Sequence, residues 1–163
     1  GAALQTGIEF ALEQNASYIV TFDADGQHQI NDIVPLLAVV HTNDADIALG
    51  SRFLSGGGHN MSTGRKLLIK MARWFNYLLT GLLLTDAHNG LRAMNKQAAG
   101  SIRITQNRMA HATELLTELK KKKLRYKEVP VTIRYTKYSK SKGQSVWGSF
   151  RIFFDLFLDK IFK

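Results

Sequence analysis

The hydrophobic and polar positions along this chain follow two periods, and the period changes from one segment to the next. Residues 3–15 carry apolar side chains at spacings of three and four, as an amphipathic helix does. Residues 17–22 form a short, uncharged, β-rich run that is typical of a buried strand. A helix from residue 31 or 32 and a strand over residues 46–53 repeat this order. Such alternation predicts a layered α/β domain.

The second half of the chain continues the alternation. A long helix is predicted from residue 62 or 63, with one apolar stripe made of Leu68, Met71, Ala72, Phe75, Leu79 and Leu82. An extended segment over 86–94, a helix over 112–123 and a strand over 126–135 follow. Residues 136–145 are predicted to form a basic loop. The pattern thus divides the chain into a domain over 1–145 and an apolar, aromatic C-terminal helix over 146–163.

The charge of the chain is concentrated in one stretch. The net charge is +9, and residues 120–142 hold ten Lys or Arg and one acid, Glu128, so the other 140 residues sum to zero. A local basic patch suits nucleic acid, an anionic bilayer or a phosphorylated substrate, or it is simply a solvated face. Aromatic residues do not interleave with the basic run, which argues against a nucleic-acid-binding module.

Two further features limit the classes of protein. The chain contains no cysteine, which excludes a disulfide framework and a thiolate metal site. No segment approaches 18 consecutive apolar residues, so no membrane-spanning helix is predicted.

The predicted strand over residues 17–22 runs directly into the sequence Asp-Ala-Asp-Gly-Gln-His at positions 23–28. Two carboxylates at i and i+2, on a turn opened by a glycine, can both reach one hard cation. Mg²⁺ or Mn²⁺ prefers oxygen ligands and leaves positions open for substrate phosphates. Ligands of open α/β sheets bind beyond the carboxyl ends of the strands, where this motif lies. The alternative is a solvated turn.

Four motifs in order resemble family 2 glycosyltransferases of the GT-A fold, particularly dolichol-phosphate mannosyltransferases and bacterial polyprenyl-phosphate hexosyltransferases. They are Thr-Phe-Asp-Ala-Asp-Gly-Gln-His at 21–28, Gly-Ser-Arg-Phe at 50–53, Thr-Asp-Ala-His-Asn-Gly-Leu-Arg-Ala at 85–93 and Glu-Val-Pro-Val at 128–131. The resemblance covers nearly the whole chain. It implies a Rossmann-like mixed sheet flanked by helices, a nucleotide-sugar donor and a lipid phosphate acceptor.

The resemblance also implies a metal site and catalytic groups. Asp23, Asp25 and Gln27 match the metal site of that branch and would hold Mg²⁺ or Mn²⁺, and Asp25 counts among the catalytic residues as well. Asp86 matches a catalytic position that would orient Arg92 or the donor sugar; a buried structural ion pair is the alternative.

Glu114 matches a helix start where many GT-A enzymes place an acid near the acceptor. A carboxylate there could act as general base for a sugar hydroxyl, or could be merely a favourable charge at a helix N-terminus. A lipid phosphate needs no such base because it is already ionised. The five histidines have no metal-ligand spacing among themselves and are interpreted as incidental.

Other residues match positions that bind substrate. Arg52 and Arg65 match arginines that meet the acceptor phosphate, which suits the paired bonds of a guanidinium; for Arg65 a solvated helix position is the alternative. The rest border the sugar and acceptor pocket or belong to a basic element that closes on the diphosphate: Asn89, Gly90, Arg92, Arg134, Ser141 and Lys142.

The chain departs from the family at its start. Relatives begin with strands that hold the nucleotide base, so we expect an N-terminally truncated GT-A domain, a poor catalyst alone, with a sheet edge that a partner copy could cover. The helix over 146–163 suits a membrane surface, the core or a dimer partner equally.

The favoured function is inverting transfer of a hexose from a UDP- or GDP-sugar to a polyprenyl phosphate. The enzyme would be cytoplasmic and peripheral on the inner face of the cell membrane, without a nucleic-acid partner. Two alternatives stay open: a glycosyltransferase that acts on a saccharide hydroxyl in cell-surface polysaccharide synthesis, and a non-catalytic basic binding or assembly fragment.

Overall fold

The computed structural model describes residues 1–60, 63–106 and 110–135, with side chains except at positions 65, 68 and 110. The helices are α1 (Ala2–Glu13), α2 (Ile33–His41, entered through a 3₁₀ turn), α3 (Thr63–Thr80), α4 (Lys96–Ser101) and α5 (Ala110–Lys121). The strands are β1 (Tyr18–Thr21), β2 (Ile47–Ser51), β3 (Gly58–His59), β4 (Arg92–Asn95), β5 (Tyr126–Pro130) and β6 (Thr132–Ile133). Within these ranges, no helix combines the length and the apolar character that crossing a membrane requires.

The main sheet has four strands in the order β1-β4-β2-β5. Strand β4 is antiparallel to both β1 and β2, whereas β2 and β5 are parallel. Strand β2 is buried along its whole length, as its uncharged and mostly apolar sequence favours. The mixed α/β sheet flanked by helices that the sequence predicts is therefore confirmed.

Helices cover both faces of this sheet. On one face, Ile8 of α1, the alanines of α4 and three leucines of α5 pack against Ile47 and Leu49. On the other face, Leu36 and Val40 of α2 pack against Ala48 and Ala93. Alternate residues of β2 thus pack into the helical layers on opposite faces of the sheet. Burial of each leucine or isoleucine that is fully enclosed stabilises the fold by about 2 kcal/mol.

The predicted strand over 126–135 is two strands. Residues Val129, Val131 and Ile133 alternate inward as expected, but the hydrogen-bonding partner changes at Val131. The amide of Val131 donates to the Ser51 carbonyl at 3.0 Å, while the Val131 carbonyl accepts from Gly58 at 3.1 Å. Pro130 has no amide hydrogen, and β5 ends there. Beyond it the chain no longer pairs with β2 but pairs with β3, in the small β3-β6 sheet.

Helix α3 begins where predicted but ends at Thr80, before Leu82 of the predicted stripe, and this stripe is not all buried. Ala72 lies in the core, whereas Met71 of the same stripe is 48% exposed. Phe75 and Leu79 are half-buried. The core-facing surface of α3 includes polar side chains instead, because Asn76 and Thr80 are buried and hydrogen-bonded to each other.

The strand register brings several chain segments to one edge of the sheet. Arg92, the first residue of β4, lies opposite both Thr21 at the end of β1 and Leu49 near the end of β2. The segments that follow β1 and β2 therefore meet the loop that precedes β4. Of the predicted extended segment 86–94, residues 86–91 form that loop and only the remainder enters the strand.

Candidate active site

The turn after β1 carries the two aspartates of the acidic motif. Gly26 has φ of +77°, a conformation that glycine adopts without strain. The Gln27 amide donates to Asp25 Oδ1 at 3.0 Å, and Gln27 Nε2 donates to the other carboxylate oxygen. Directly after β6, the Arg134 amide donates to the Gln27 carbonyl at 2.9 Å. These bonds fix the turn, so both carboxylates stand at the sheet edge.

Asp23 is held by a histidine that the sequence did not single out. His28 is buried, and its Nε2 lies 3.3 Å from Asp23 Oδ2. The hydrogen bond to His28 lowers the pKa of Asp23; burial opposes this, and the nearby charges of His28, Arg92 and His111 add to it. Asp23 is therefore ionised at neutral pH. The interpretation of His28 as incidental is wrong.

Gly90 makes room for the Asp23 carboxylate. The Gly90 carbonyl accepts from Thr21 Oγ1 at 2.6 Å, which draws the loop against the end of β1. A Cβ at position 90 would approach Asp23 Oδ2 to 2.2 Å. Only glycine leaves this carboxylate in its place beside His28.

Replacing Gly90 with alanine should push the Asp23 carboxylate away from His28. Because that hydrogen bond is the largest cause of the lowered value, we expect the pKa of Asp23 to rise towards its ordinary value of 3.8. Carboxyl-carbon NMR titration measures this shift. Gly100→Ala is the matched control, since a Cβ at Gly100 meets nothing within 4 Å. An unchanged Asp23 titration in Gly90→Ala would show that the carboxylate does not depend on this space.

Asp86 and Arg52 form a buried ion pair beside this turn. Arg52 Nε lies 2.5 Å from Asp86 Oδ2, and the Arg52 amide donates to the same oxygen at 3.1 Å. The side chain of Asp86 is 0% exposed. Burial acts to lower the pKa of Arg52, but the charge of Asp86 and the hydroxyl of Tyr135 together raise it above its ordinary value. Arg52 is therefore permanently charged.

The loop before β4 is fixed by one carboxylate from β5. Glu128 accepts from the Thr85 amide at 2.8 Å, from Thr85 Oγ1 at 2.7 Å and from the Asp86 amide at 3.2 Å. Asn89 completes the loop by donating to Asp86 Oδ2 at 3.3 Å and accepting from the Leu91 amide at 3.0 Å. In the sequence, Glu128 stands out as the one acid of a basic stretch and as the first residue of the Glu-Val-Pro-Val motif, but neither feature predicts that it fixes this loop.

These contacts change two of the predicted roles. Asp86 bonds to Arg52, not to Arg92, and it is enclosed, so it positions Arg52; this is the ion-pair alternative. Asn89 was predicted to bind substrate, but it is 3% exposed and its polar atoms are used within the loop. Asp86 and Asn89 therefore hold Arg52 and the loop in place and do not themselves face a substrate.

Arg92 is a second buried cation. It is 3% exposed, and burial lowers its pKa to about 10, opposed by the charges of Asp23 and Asp86. Arg92 thus stays protonated at neutral pH. It borders a cavity of about 500 Å³ that extends from α1 along β1 to Gly90 and His111.

A smaller cavity of about 160 Å³ adjoins the first at Asp23 and Gly90. It is bordered by the acidic turn on one side and by Arg52, His88 and Tyr135 on the other. Two carboxylates and a fixed guanidinium therefore face one small polar space.

The donor set of the turn can be tested against the expected metal. Among residues 1–60, 63–106 and 110–135, no group of three or more His, Asp or Glu side chains is arranged to hold an ion. Asp23 and Asp25 offer two carboxylates, and Gln27 an amide oxygen, beside an open cavity. Such a partial set of hard oxygen ligands fits a divalent cation whose other ligands come from phosphates.

Glu114 has a different place from the one predicted. Its carboxylate accepts from the Thr105 amide at 2.9 Å, from Thr105 Oγ1 at 2.6 Å and from the Gln106 amide at 2.8 Å. It borders neither of the two cavities. Glu114 thus fastens the segment that follows α4 to α5, and the structure does not support its assignment as general base.

The remaining predicted residues are placed only in part. The side chain of Arg134 is exposed, and the contribution of Arg134 to the site is its backbone bond to Gln27. Arg65 lies in the first turn of α3, with its side chain outside the described part. Ser141, Lys142 and the helix predicted over 146–163 lie outside the described residues.

A mixed sheet with acidic and basic side chains gathered at one edge is a GT-A-like architecture. The family model "Glycosyl transferase family 2" matches residues 1–103, and the chain belongs to this family of glycosyltransferases. The predicted family is thereby confirmed.

Curated relatives agree with the family model. An uncharacterized protein of Methanocaldococcus jannaschii is 37% identical over 99% of this chain and 68% of its own length. The UDP-N-acetylglucosamine–dolichyl-phosphate N-acetylglucosaminyltransferase of Methanococcus voltae is 35% identical over 100% of this chain and 66% of its own. The undecaprenyl-phosphate mannosyltransferase of Micrococcus luteus is 37% identical over 57% of this chain and 38% of its own. The chain thus spans about two-thirds of the length of the first two relatives.

Proposed function

We propose that this chain carries the catalytic centre of a metal-dependent, inverting glycosyltransferase that moves a hexose from a UDP- or GDP-sugar to a polyprenyl phosphate. The observation that carries the proposal is the small cavity in which Asp23 and Asp25 face the largely buried guanidinium of Arg52. One side of this space suits a metal-bound diphosphate, and the other suits a second phosphate. A reaction between two phosphorylated substrates needs both.

Asp23, Asp25 and Gln27 would hold Mg²⁺ or Mn²⁺. When bound, the cation neutralises the charge that develops on the departing nucleoside diphosphate. His28 keeps Asp23 ionised and oriented, and Gly90 leaves the carboxylate free to face the cavity. Arg92, buried behind Asp23, balances the acidic charge when no cation is present.

Arg52 is the candidate for binding the acceptor phosphate. Asp86 and Tyr135 fix its guanidinium, so little conformational entropy is lost when a phosphate binds. A phosphate oxygen of the acceptor attacks the anomeric carbon as the bond from that carbon to the diphosphate breaks, which inverts the configuration. The phosphate is ionised already, so no residue has to remove a proton.

The acceptor class rests on the relatives and on Glu114. The names of the Methanococcus voltae and Micrococcus luteus relatives specify different sugars but the same kind of acceptor, a polyprenyl phosphate. A saccharide hydroxyl would need a general base, and Glu114, the acid predicted for that task, is occupied by Thr105 and Gln106. The phosphate acceptor is therefore the better-supported choice.

The proposal is tested by titrating Mn²⁺ into the chain, followed by electron paramagnetic resonance, with and without UDP or GDP. We expect binding that tightens at least about tenfold with a nucleoside diphosphate, because the diphosphate completes the coordination sphere. Asp23→Asn/Asp25→Asn should abolish it. The matched control is Asp44→Asn, which removes an exposed carboxylate that pairs with Lys127. Equal binding in the double variant and the control would refute the metal site.

A further inference from the structure

The segment that joins β2 to α3 is attached to the chain beyond β6 by the side chain of Asn60. Asn60 Oδ1 accepts from the Tyr135 amide at 2.6 Å, and Asn60 Nδ2 donates to the Tyr135 carbonyl at 3.2 Å. The pairing of β3 with β6 ends just before, at His59 and Ile133. The carboxamide of Asn60 therefore takes the place of a backbone partner for Tyr135, whose amide and carbonyl lie outside the strand.

The contact between Asn60 and Tyr135 fixes backbone and does not fill space in the core. Asn60 is exposed, so its side chain is not needed for packing. Both of its described hydrogen bonds go to the backbone of one residue, 75 positions later in the chain. A carboxamide that donates and accepts at once fixes the peptide groups on both sides of Tyr135. It thereby sets the direction in which the ring of Tyr135 leaves the backbone.

The ring of Tyr135 carries this constraint to the site. Tyr135 is 6% exposed and packs with Val131 and Ile133 in the core on the α2 face of the sheet. Its hydroxyl accepts from Arg52 Nη1, and both side chains border the small cavity. A chain of contacts thus leads from Asn60 at the surface, through Tyr135, to Arg52 in the cavity.

The guanidinium of Arg52 needs two contacts to be fixed in orientation. Asp86 Oδ2 accepts from Arg52 Nε, at one edge of the guanidinium plane. A planar group that is held at one nitrogen can still turn about that point, whereas a bond at a second nitrogen removes this freedom. The Tyr135 hydroxyl supplies that bond at Nη1. The orientation of the plane matters because a guanidinium binds phosphate through paired N–H groups that must meet two oxygens.

We propose that Asn60 and Tyr135 are positioning residues, which fix the plane of the Arg52 guanidinium for the phosphate of the acceptor. The inference rests on the proposed function, in which Arg52 binds that phosphate. Asn60 does not border the small cavity, so it acts through Tyr135. The affinity for a phosphate monoester therefore depends on a carboxamide that lies outside the binding site.

The test measures binding of geranyl phosphate, a short soluble prenyl phosphate, to the full chain by phosphorus NMR titration. We expect the dissociation constant to rise about threefold to tenfold in Tyr135→Phe, which removes one hydrogen bond of a charged group. Asn60→Ala should raise it by a similar factor or less. Tyr126→Phe and Asn31→Ala are the matched controls, because Tyr126 lies at the start of β5 and Asn31 is an exposed residue before α2.

A double variant shows whether Asn60 acts through the Tyr135 hydroxyl. Two substitutions that act on one contact are not additive. Once Tyr135→Phe has been made, Asn60→Ala should therefore change the dissociation constant by less than about twofold. Full additivity of the two losses would show that Asn60 does not act through this hydroxyl.

Nitrogen NMR of the Arg52 side chain reports the positioning without any phosphate. A guanidinium that cannot turn about its Cζ–Nε bond gives separate Nη1 and Nη2 signals, and Arg52→Lys identifies these signals by their loss. We expect separate signals in the unsubstituted chain and both controls, and merged signals in Tyr135→Phe and Asn60→Ala. Signals that stay separate in these two variants would overturn the positioning role.

Two further comparisons distinguish the positioning role from the proposed function. Binding of Mn²⁺ with UDP should be equal in all positioning variants and controls, and its parallel loss would mean general damage to the site and overturn the specific role. Unchanged geranyl phosphate binding in Arg52→Lys would refute the acceptor site of the proposed function. Weakened binding in Arg52→Lys, with unchanged binding in Asn60→Ala and Tyr135→Phe, would overturn the positioning role alone.

Discussion

Asp86→Ala is expected to lower the free energy of unfolding by about 3–5 kcal/mol, which is the cost of breaking a buried ion pair from one side. Among the residues that the structure describes, the substitution leaves the Tyr135 hydroxyl as the remaining side-chain acceptor for the enclosed guanidinium of Arg52. It also removes the acceptor of the Arg52 amide and of Asn89 Nδ2. The largest part of the lost free energy of unfolding comes from keeping the charge of Arg52 away from water without a counter-charge.

Urea denaturation measures this loss, and two further variants show its cause. Asp86→Asn keeps the shape and most hydrogen-bond capacity but removes the charge, so its effect should be intermediate. Asp44→Ala deletes one partner of an exposed ion pair, Asp44 with Lys127 at 3.4 Å, and should cost less than about 1 kcal/mol. Similar losses in Asp86→Ala and Asp44→Ala would mean that Arg52 is solvated after all.

Acidification from pH 7 to pH 4.5 should destabilise the protein through His88. Burial lowers the pKa of His88 from 6.5 to about 4; Asp86 opposes this, and the charges of Arg92 and Arg52 reinforce it. The unfolded chain therefore takes up a proton first as the pH falls, and stability is lost between about pH 6.5 and pH 4. The loss is at most about 3 kcal/mol, because the ring keeps some solvent contact.

Unfolding free energies at several pH values, with His88→Gln beside the unsubstituted chain, check this expectation. The variant should lose most of the slope in this window. Asp23 and Asp46 also have lowered pKa values, but their contributions disappear only below the ordinary value of 3.8. His41→Gln, at an exposed position of α2, is the control and should keep the slope. An unaltered slope in His88→Gln would assign the loss to other groups.

The parts of the fold that sequence could predict are those with a local period. The apolar run before Asp23 correctly predicted strand β1, and the leucines of α5 correctly predicted that helix. In both cases the spacing of apolar residues follows from burial on one side of the element. The break after Pro130 could not be foreseen in the same way. Val129, Val131 and Ile133 keep the alternation of one strand while their hydrogen-bonding partners change.

The residues of the site show the same distinction between local sequence patterns and contacts made in the tertiary structure. The place of Asp23 and Asp25 could be predicted because they follow a strand, and ligands of such sheets bind beyond the strand ends. Arg52 was predicted from the family resemblance alone. The supporting contacts could not be predicted, because His28 reaches Asp23, and Glu128 reaches the loop at Thr85 and Asp86, only in the tertiary structure. Met71 illustrates the reverse error: helical spacing predicts a stripe but does not say whether that stripe faces the core or a surface.

Strand β1 has consequences for the order in which the chain folds. Its described sheet partner is β4, and each paired residue lies more than seventy positions later in the chain. Closing so long a loop is entropically costly and slow compared with forming a helix. During synthesis, the residues that carry the two carboxylates therefore leave the ribosome well before the strand that supports them. The acidic turn is expected to be among the last parts of the protein to become ordered, and a nascent chain would acquire its glycosyl-transfer chemistry late.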